Sequence, residues 1–456
     1  MNTLADIRSR LDRAVLGREC HDLIVELYPI CRSITGNGFR ETLARLQKHI
    51  PLTVHEVPTG YEAFDWTVPK EWNIRDAYVK NQRGERVIDF RHSNLHVVNY
   101  SVPVSRKISS KELKAHLFTI PEHPDWIPYR TSYYRETWGF CISHRQFEQL
   151  NDDEYEVQID ASLEDGSLTY GELFIPGTTQ EEILVSCHAC HPSLCNDNLS
   201  GIALATCLAK ALSSSVHRYS YRFLFIPGTI GSIVWLRRNE PHLDRIKHGL
   251  VLACAGDRGN CSYKKSGVGN AEIDRAVVHV LQHSGHGYTV RNFSPYGYDE
   301  RQYCSPGINL PVGCFSRTPH GQFPEYHTSA DDLNFVDPLS LADSFSKCLG
   351  IFDILEENKV FLTQNPKCEP QLGKRGLYRS LGGYADAETR ELAMLWVLNQ
   401  SDGTRALLDI AERSRMSFEQ IRQAAKTLKE HGLLRAVAGE LNPQGENTAR
   451  KQPVST

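Results

Sequence analysis

The sequence predicts an α/β protein: a mostly parallel sheet flanked by helices, with an inserted β-rich domain and a C-terminal winged-helix domain. Three observations predict it. From about residue 170 to 365, short apolar runs alternate with helical patterns, the rhythm of strand–helix–strand units. Between residues 61 and 169 that rhythm gives way to short strands rich in Trp, Tyr and Pro, such as FDWTVP, LHVVNYSVPV and YEVQIDASL. Residues 385–440 then carry three helical patterns and a short apolar strand, LRAV, behind a Gly- and Lys-rich connector.

Taken in order, Cys20 to Ile34 has helical apolar spacing, Thr35 to Gly38 is a turn, and Phe39 to Ile50 is a second helix with charged residues on its wet side. Leu52 to Val57 alternates like a strand. These residues, 1–60, join 170–365 as one discontinuous core around the 61–169 insertion. Within the insertion, DWIPYRTSYYRETWGFC reads first as an aromatic β-core with polar tips and second as a wall of a substrate pocket. In the core, strands are expected at Ile183 to Val185, Tyr221 to Pro227, GLVLACAG and LPVGCFS. Helices are expected at LSGIALATCLAKALSS, Ile233 to Arg238, Ala271 to His283 and Leu339 to Asn358. YTVRNFSPYGYDERQYCSPG reads as a polar stretch without a strand. The polar tail, 441–456, is expected to be disordered.

Composition narrows the function. A chain of 456 residues with 40% hydrophobic and 23% charged residues is a soluble globular protein of several domains. A net charge of −4 recruits neither nucleic acid nor an anionic membrane, and no apolar run is long enough to span a bilayer. The charged amphipathic N-terminus lacks a signal-peptide core, so a cytoplasmic protein is expected, with its 13 cysteines mostly reduced. In the winged helix, Lys and Arg are balanced by Asp and Glu. Gln420, Arg422, Gln423 and Lys426 make no obvious phosphate-binding stripe, so a protein partner or a second copy of the chain is expected there rather than DNA.

The chemistry concentrates in ILVSCHACHPSLCNDNLSG, residues 183 to 201. A buried strand opens into two histidines, three cysteines and an aspartate just before a helix, and α/β enzymes place sites at such strand ends. Strand ends and adjacent loops supply His188, His191, Asp197, Asp257, Asp299, Glu300, Glu325 and His327. Imidazole with carboxylate suits zinc, iron or manganese better than magnesium or calcium. Taken alone, Asp197 reads first as a helix cap. Two sulfur readings compete: Cys187, Cys190 and Cys195 as a metal-binding set, or Cys190 as a nucleophile beside His188 or His191.

The order of motifs resembles a known superfamily. SCH-x(8)-DNLSG, a strand ending FIP, GLVLACAGD and EYHTSADDL are similar to the di-zinc aminopeptidases. FDWTVPKEW, CHPSLCNDNLSG, YDERQYCSPG and PEYHTSADDLNFV resemble a bacterial aminopeptidase-like branch that carries an inserted β domain and a winged helix, and whose genes accompany polysaccharide biosynthesis. The resemblance implies one or two divalent metals, zinc first. His188 or His191, Asp197, Asp257 and His327 would be the ligands. Cys190 stands where the superfamily has an aspartate that orients the first histidine. The substrate implied is a small peptide or an N-acylated intermediate, hydrolysed at an amide. Tyr298, Arg301 and His320 are candidates for holding it. One departure is large. Where the superfamily has two glutamates and the branch has PETIGS, this chain has PGTIGS, so Gly228 and Thr229 offer no carboxylate. Glu325, Glu300 or Asp299 is then expected to act as base, or the chain binds without hydrolysing.

Overall fold

The structure is a computed structural model and describes residues 3–378 and 385–437. Its main sheet has eight strands: Thr53–Pro58 (β1), Ser167–Ile175 (β2), Glu182–His188 (β3), Ser220–Ile226 (β4), Ile246–Leu252 (β5), Cys261–Lys264 (β6), Tyr288–Arg291 (β7) and Val312–Ser316 (β8). Their order is β1-β2-β4-β3-β5-β8-β6-β7. The central strands β4, β3, β5 and β8 run parallel, as the apolar runs separated by helices require. At one edge β2 returns antiparallel to β4 and to β1, and at the other β6 runs antiparallel to β8. The sheet is therefore mixed rather than mostly parallel. The sequence hid β6 and β7 because both are short and polar, CSYK and YTVR, and β7 is an edge strand whose tyrosine is exposed.

Each of the seven residues of β3 is buried, which is why Ile183 to Val185 form an unbroken apolar run instead of alternating. The helix Ser200–Ser213 packs on β3, β4 and β5, with Ile202, Leu204, Leu208 and Leu212 in the core. A second, antiparallel sheet is built from Arg86–Asp89, Glu71–Lys80, Glu154–Glu164 and Val104–Ser109. It lies within the same compact unit as the main sheet, residues 1–275 and 286–349.

The other compact unit comprises 276–285 and the residues from 350 on. Its helices Ala385–Gln400, Leu407–Ser414 and Phe418–Glu430 accompany a three-stranded antiparallel sheet of Asp402–Ala406, Val360–Thr363 and Leu434–Ala436. The expected helices and final strand are present. The tail expected to be disordered lies outside the described residues. Among the described residues no helix is long and apolar enough to cross a membrane.

Candidate metal centre

Strand β3 ends at His188, and the chain then folds back through His191 to Asp197 before the helix at Ser200 begins. Asp197 adopts a non-helical conformation, φ −110° and ψ 83°. That turns its carboxylate away from a capping role and toward the histidines. His188 Nε2 lies 2.9 Å from Asp197 Oδ1, His327 Nε2 lies 3.0 Å from Oδ2, and His191 Nδ1 lies 3.7 Å from Oδ2. Both candidate histidines of the strand-end loop therefore reach the same carboxylate. The ligand atoms of His188, His191 and Asp197 lie within 4.8 Å of one another. Asp197 is wholly buried and His188 nearly so. Burial opposes charge on Asp197, but His191 and His188 hold its carboxyl well below the usual range. Burial, helped by the neighbouring His188, His327 and Arg32 and opposed by Asp197, drives His191 toward neutrality, its pKa well below the ordinary imidazole value. A neutral imidazole and an ionised carboxylate are the protonation states that ligate metals.

Two further side chains fix this turn. Asp331 is buried and accepts from the backbone amides of Asn196 at 2.6 Å and Asp197 at 2.9 Å. Burial pushes its carboxyl up to about 8, against the pull of those amides. Asn198 donates its amide to the carbonyls of His188 and Leu252 and to His188 Nδ1 at 3.3 Å, while its oxygen accepts from Cys254 N–H. The histidine ring is thereby held from behind.

The neighbouring strand end is different. β4 runs out through Pro227 into Gly228 and Thr229, where no carboxylate stands. A Cβ on Gly228 would lie 3.0 Å from His188 Cβ and 3.5 Å from Asp299 Oδ2. Asp299 thus fills the space beside His188 from another loop. Its Oδ1 accepts from Ser232 Oγ at 2.9 Å, and its Oδ2 is buried without a hydrogen-bond partner among the described residues. Burial pushes Asp299 up to about 6, with His188 and the Ser232 hydrogen bond opposing. Glu300 next to it is buried and ion-paired with Lys264, itself bonded to the carbonyls of Ser294 and Tyr296.

Aromatic rings close the remaining sides. Tyr298 stacks on His188 at 5.1 Å between centroids, Tyr326 stacks on His327 at 4.0 Å, and Tyr129 meets His191 and His327 edge-on at 5.2 and 5.1 Å. Tyr129 comes from the aromatic stretch read first as a β-core; it is buried in an apolar cluster with Leu95 and Leu194 and also meets these two histidines. His320 packs edge-on against Tyr298, 5.1 Å away. The buried Nε of Arg301 has no hydrogen-bond partner among the described residues. Glu325 is half-buried, its carbonyl bonded to Thr328.

Asp257 stands apart from the converging ligand atoms. Its carboxylate accepts from Gly259 N–H, Thr318 N–H and Oγ, and Asn196 Nδ2 at 2.6 to 3.1 Å. The sulfur readings find no support. Cys187 and Cys190 direct their thiols at the carbonyls of Leu224 and Gly228, and burial pushes Cys190 up to about 12. That is the opposite of an activated thiol. Asp331 and Tyr129 were not legible as site residues. Asp331 acts through backbone amides, and Tyr129 belongs to a remote stretch; only their dense polar and aromatic contexts hinted at them.

Residues 21–358 match the family model described as Domain of unknown function (DUF4910). The chain belongs to this family. Residues 359–436 match a winged helix-turn-helix model. The DUF4910 chain is 57% identical, over 92% of its length and 97% of the relative's, to a Clostridium acetobutylicum protein named for polysaccharide biosynthesis and an aminopeptidase-like domain. A crystal structure from that organism, titled a peptidase, superimposes with a TM-score of 0.91 at 54% identity, covering 95% of this chain and all of that one. A zinc aminopeptidase from Bacillus subtilis shares the fold at 12% identity, with a TM-score of 0.54 over 74% of this chain and 93% of that one. The α/β sheet flanked by helices is thus the zinc-aminopeptidase architecture.

Proposed function

We propose that this DUF4910 protein is a metal-dependent hydrolase that cleaves an amide in a peptide or an N-acylated biosynthetic intermediate. The observation that carries it is the convergence of three histidines on one buried carboxylate. The donor set fits a cation: His191 Nδ1 is buried without a hydrogen-bond partner among the described residues, beside an ionised carboxylate. Such a pair is costly to bury unless a positive charge is shared between them. His188, His191, Asp197 and His327 would hold zinc, or iron or manganese in its place, as one ion or two. Asp257 would join only by releasing Thr318 and Gly259. The metal supplies Lewis-acid polarisation of the scissile carbonyl.

The chain supplies the rest. Asp299 replaces the carboxylate missing at Gly228: it is adjacent to His188, and its unpartnered Oδ2 takes a proton from the attacking water. Glu300 is committed to Lys264, and Glu325 is the reserve base. Tyr298, stacked on His188, and His320 beside it position the substrate, with Arg301 as a further candidate. Residues 61–169 are read as an insertion into the core, and a loop of that segment, outside the strands of its four-stranded sheet, contributes Tyr129 to the site. In the winged helix, Arg422 is held by Asp353 and Glu419, and Gln423 by Glu419, which favours a protein contact over a phosphate backbone. All thirteen cysteines are free thiols, in keeping with a cytoplasmic setting.

The loss of both acids at Gly228 and Thr229 favours a second reading, a protein that binds its ligand without turnover. Metal content measured together with turnover of aminoacyl and N-acyl substrates separates the two. Turnover that vanishes in Asp299→Asn and Asp197→Ala supports hydrolysis. Bound metal without turnover on any substrate class leaves the binding reading.

A further inference from the structure

The aromatic stretch of the 61–169 segment does more than wall the site. Three backbone-level contacts tie residues 127–129 to the loop that carries His327. Tyr129 N–H donates to the His327 carbonyl at 2.7 Å, Ser329 N–H donates to the Ile127 carbonyl at 2.8 Å, and Ile127 N–H donates to Ser329 Oγ at 2.9 Å. Pro128 and Thr328 form the β-bridge between them. His327 itself has φ +56°, a left-handed conformation that a residue with a side chain adopts only where its surroundings impose it. The Tyr129 ring meets His191 and His327 edge-on, and its body packs in a small apolar cluster with Leu95 and Leu194. Leu194 lies in the loop between His191 and Asp197. One side chain therefore touches both outer histidines and the loop that carries Asp197.

We infer that Tyr129 is a positioning residue for the metal centre, and that the 127–129 strap sets the geometry of His327 and His191. This rests on the reading of those histidines as ligands. Removing the ring frees His191 and His327 to rotate and loosens Leu194, while the backbone bonds to His327 lose their packing support. Groups that orient ligands in this way change metal affinity by about 10–100-fold when removed.

The test is a cobalt(II) titration of the metal-stripped full-length protein, followed by visible absorption, with thermal unfolding in parallel. Tyr129→Ala is expected to weaken cobalt binding roughly tenfold or more and to change the absorption bands. Tyr129→Phe, which keeps the ring and loses only the contact of its hydroxyl with Tyr133 Oη, 3.1 Å away, retains both. Leu95→Ala separates positioning from general packing: it lowers thermal stability but leaves affinity and spectrum as in the parent. If Tyr129→Ala does not fold, Ser329→Ala, which removes the side-chain bond to Ile127, carries the same expectation at smaller size. Parent-like affinity and spectrum in the folded Tyr129→Ala or Ser329→Ala protein overturn the inference and leave the metal reading standing. A parent protein that takes up no cobalt overturns both.

Discussion

Two neighbouring strand ends give this protein its character. β3 and β4 are parallel partners, with His188 opposite Ile226, so the loops that leave them lie side by side. The β3 end carries a full polar constellation: Asp197 receives three histidines while Asp331 and Asn198 brace the turn from behind. The β4 end offers only Gly228 and Thr229, with no carboxylate, and Asp299 from a different loop lies beside it. On the proposed reading, ligation and proton transfer are separable: ligation would depend on the precise turn at Asp197, and proton transfer only on one carboxylate within reach, which Asp299 would provide.

The sharpest way to break this contrast is at Asp197. Asp197→Ala removes the carboxylate on which three imidazoles converge and is expected to abolish metal uptake, measured by elemental analysis of the purified protein. Retained stoichiometric metal would show that the centre is elsewhere.

Next is the brace. Asp331→Ala strands the amides of Asn196 and Asp197 in a dry interior, at a cost of roughly 3 kcal/mol seen in denaturant unfolding. Asp331→Asn keeps one acceptor and loses about half as much. Equal stability of all three proteins would mean that the turn holds itself.

The β4 end can be probed by pH. Burial raises Asp299 from the ordinary 3.8 to about 6, so the folded, metal-stripped chain binds that proton more tightly than the unfolded one. Stability from this group is therefore full below pH 3.8, falls as pH rises to about 6, and stays lower above it. Asp299→Asn removes that fall and stabilises the metal-stripped protein at neutral pH by up to about 3 kcal/mol. A stability profile that matches the parent's between those limits would contradict the burial argument.

The smallest effect is expected at Gly228. Gly228→Ala places a methyl 3.0 Å from His188 Cβ and costs about 1 kcal/mol of thermal stability. Gly228→Glu, which would restore an acid by sequence logic alone, crowds His188 and sets a second carboxylate beside Asp299. It is expected to lower both stability and turnover. Improved turnover would show that Asp299 is a poor substitute and that the site can relax.

Much of this was written plainly in the chain. The apolar runs of β3, β4, β5 and β8 marked the parallel centre of the sheet because strands buried on both faces need them. The histidines and Asp197 stood out because a strand that opens into metal-competent side chains just before a helix is where α/β enzymes place a site. Less was legible where structure is made by backbone. β6 and β7 are short polar strands, with β7 at the sheet edge, and Asp331 and Tyr129 act on main-chain groups of residues more than a hundred positions away. Whether His188 or His191 faced Asp197 could not be read from spacing, since the loop between them folds back and brings both. Gly228 was legible as a loss; that Asp299 stands in the gap required the fold.

The account turns on the β3 end being a metal centre. Zinc titration of the metal-stripped full-length protein tests this most directly, by calorimetry beside the Asp197→Ala variant. One or two equivalents bound by the parent and none by the variant is the predicted result. A parent protein that binds no zinc, iron or manganese would contradict it.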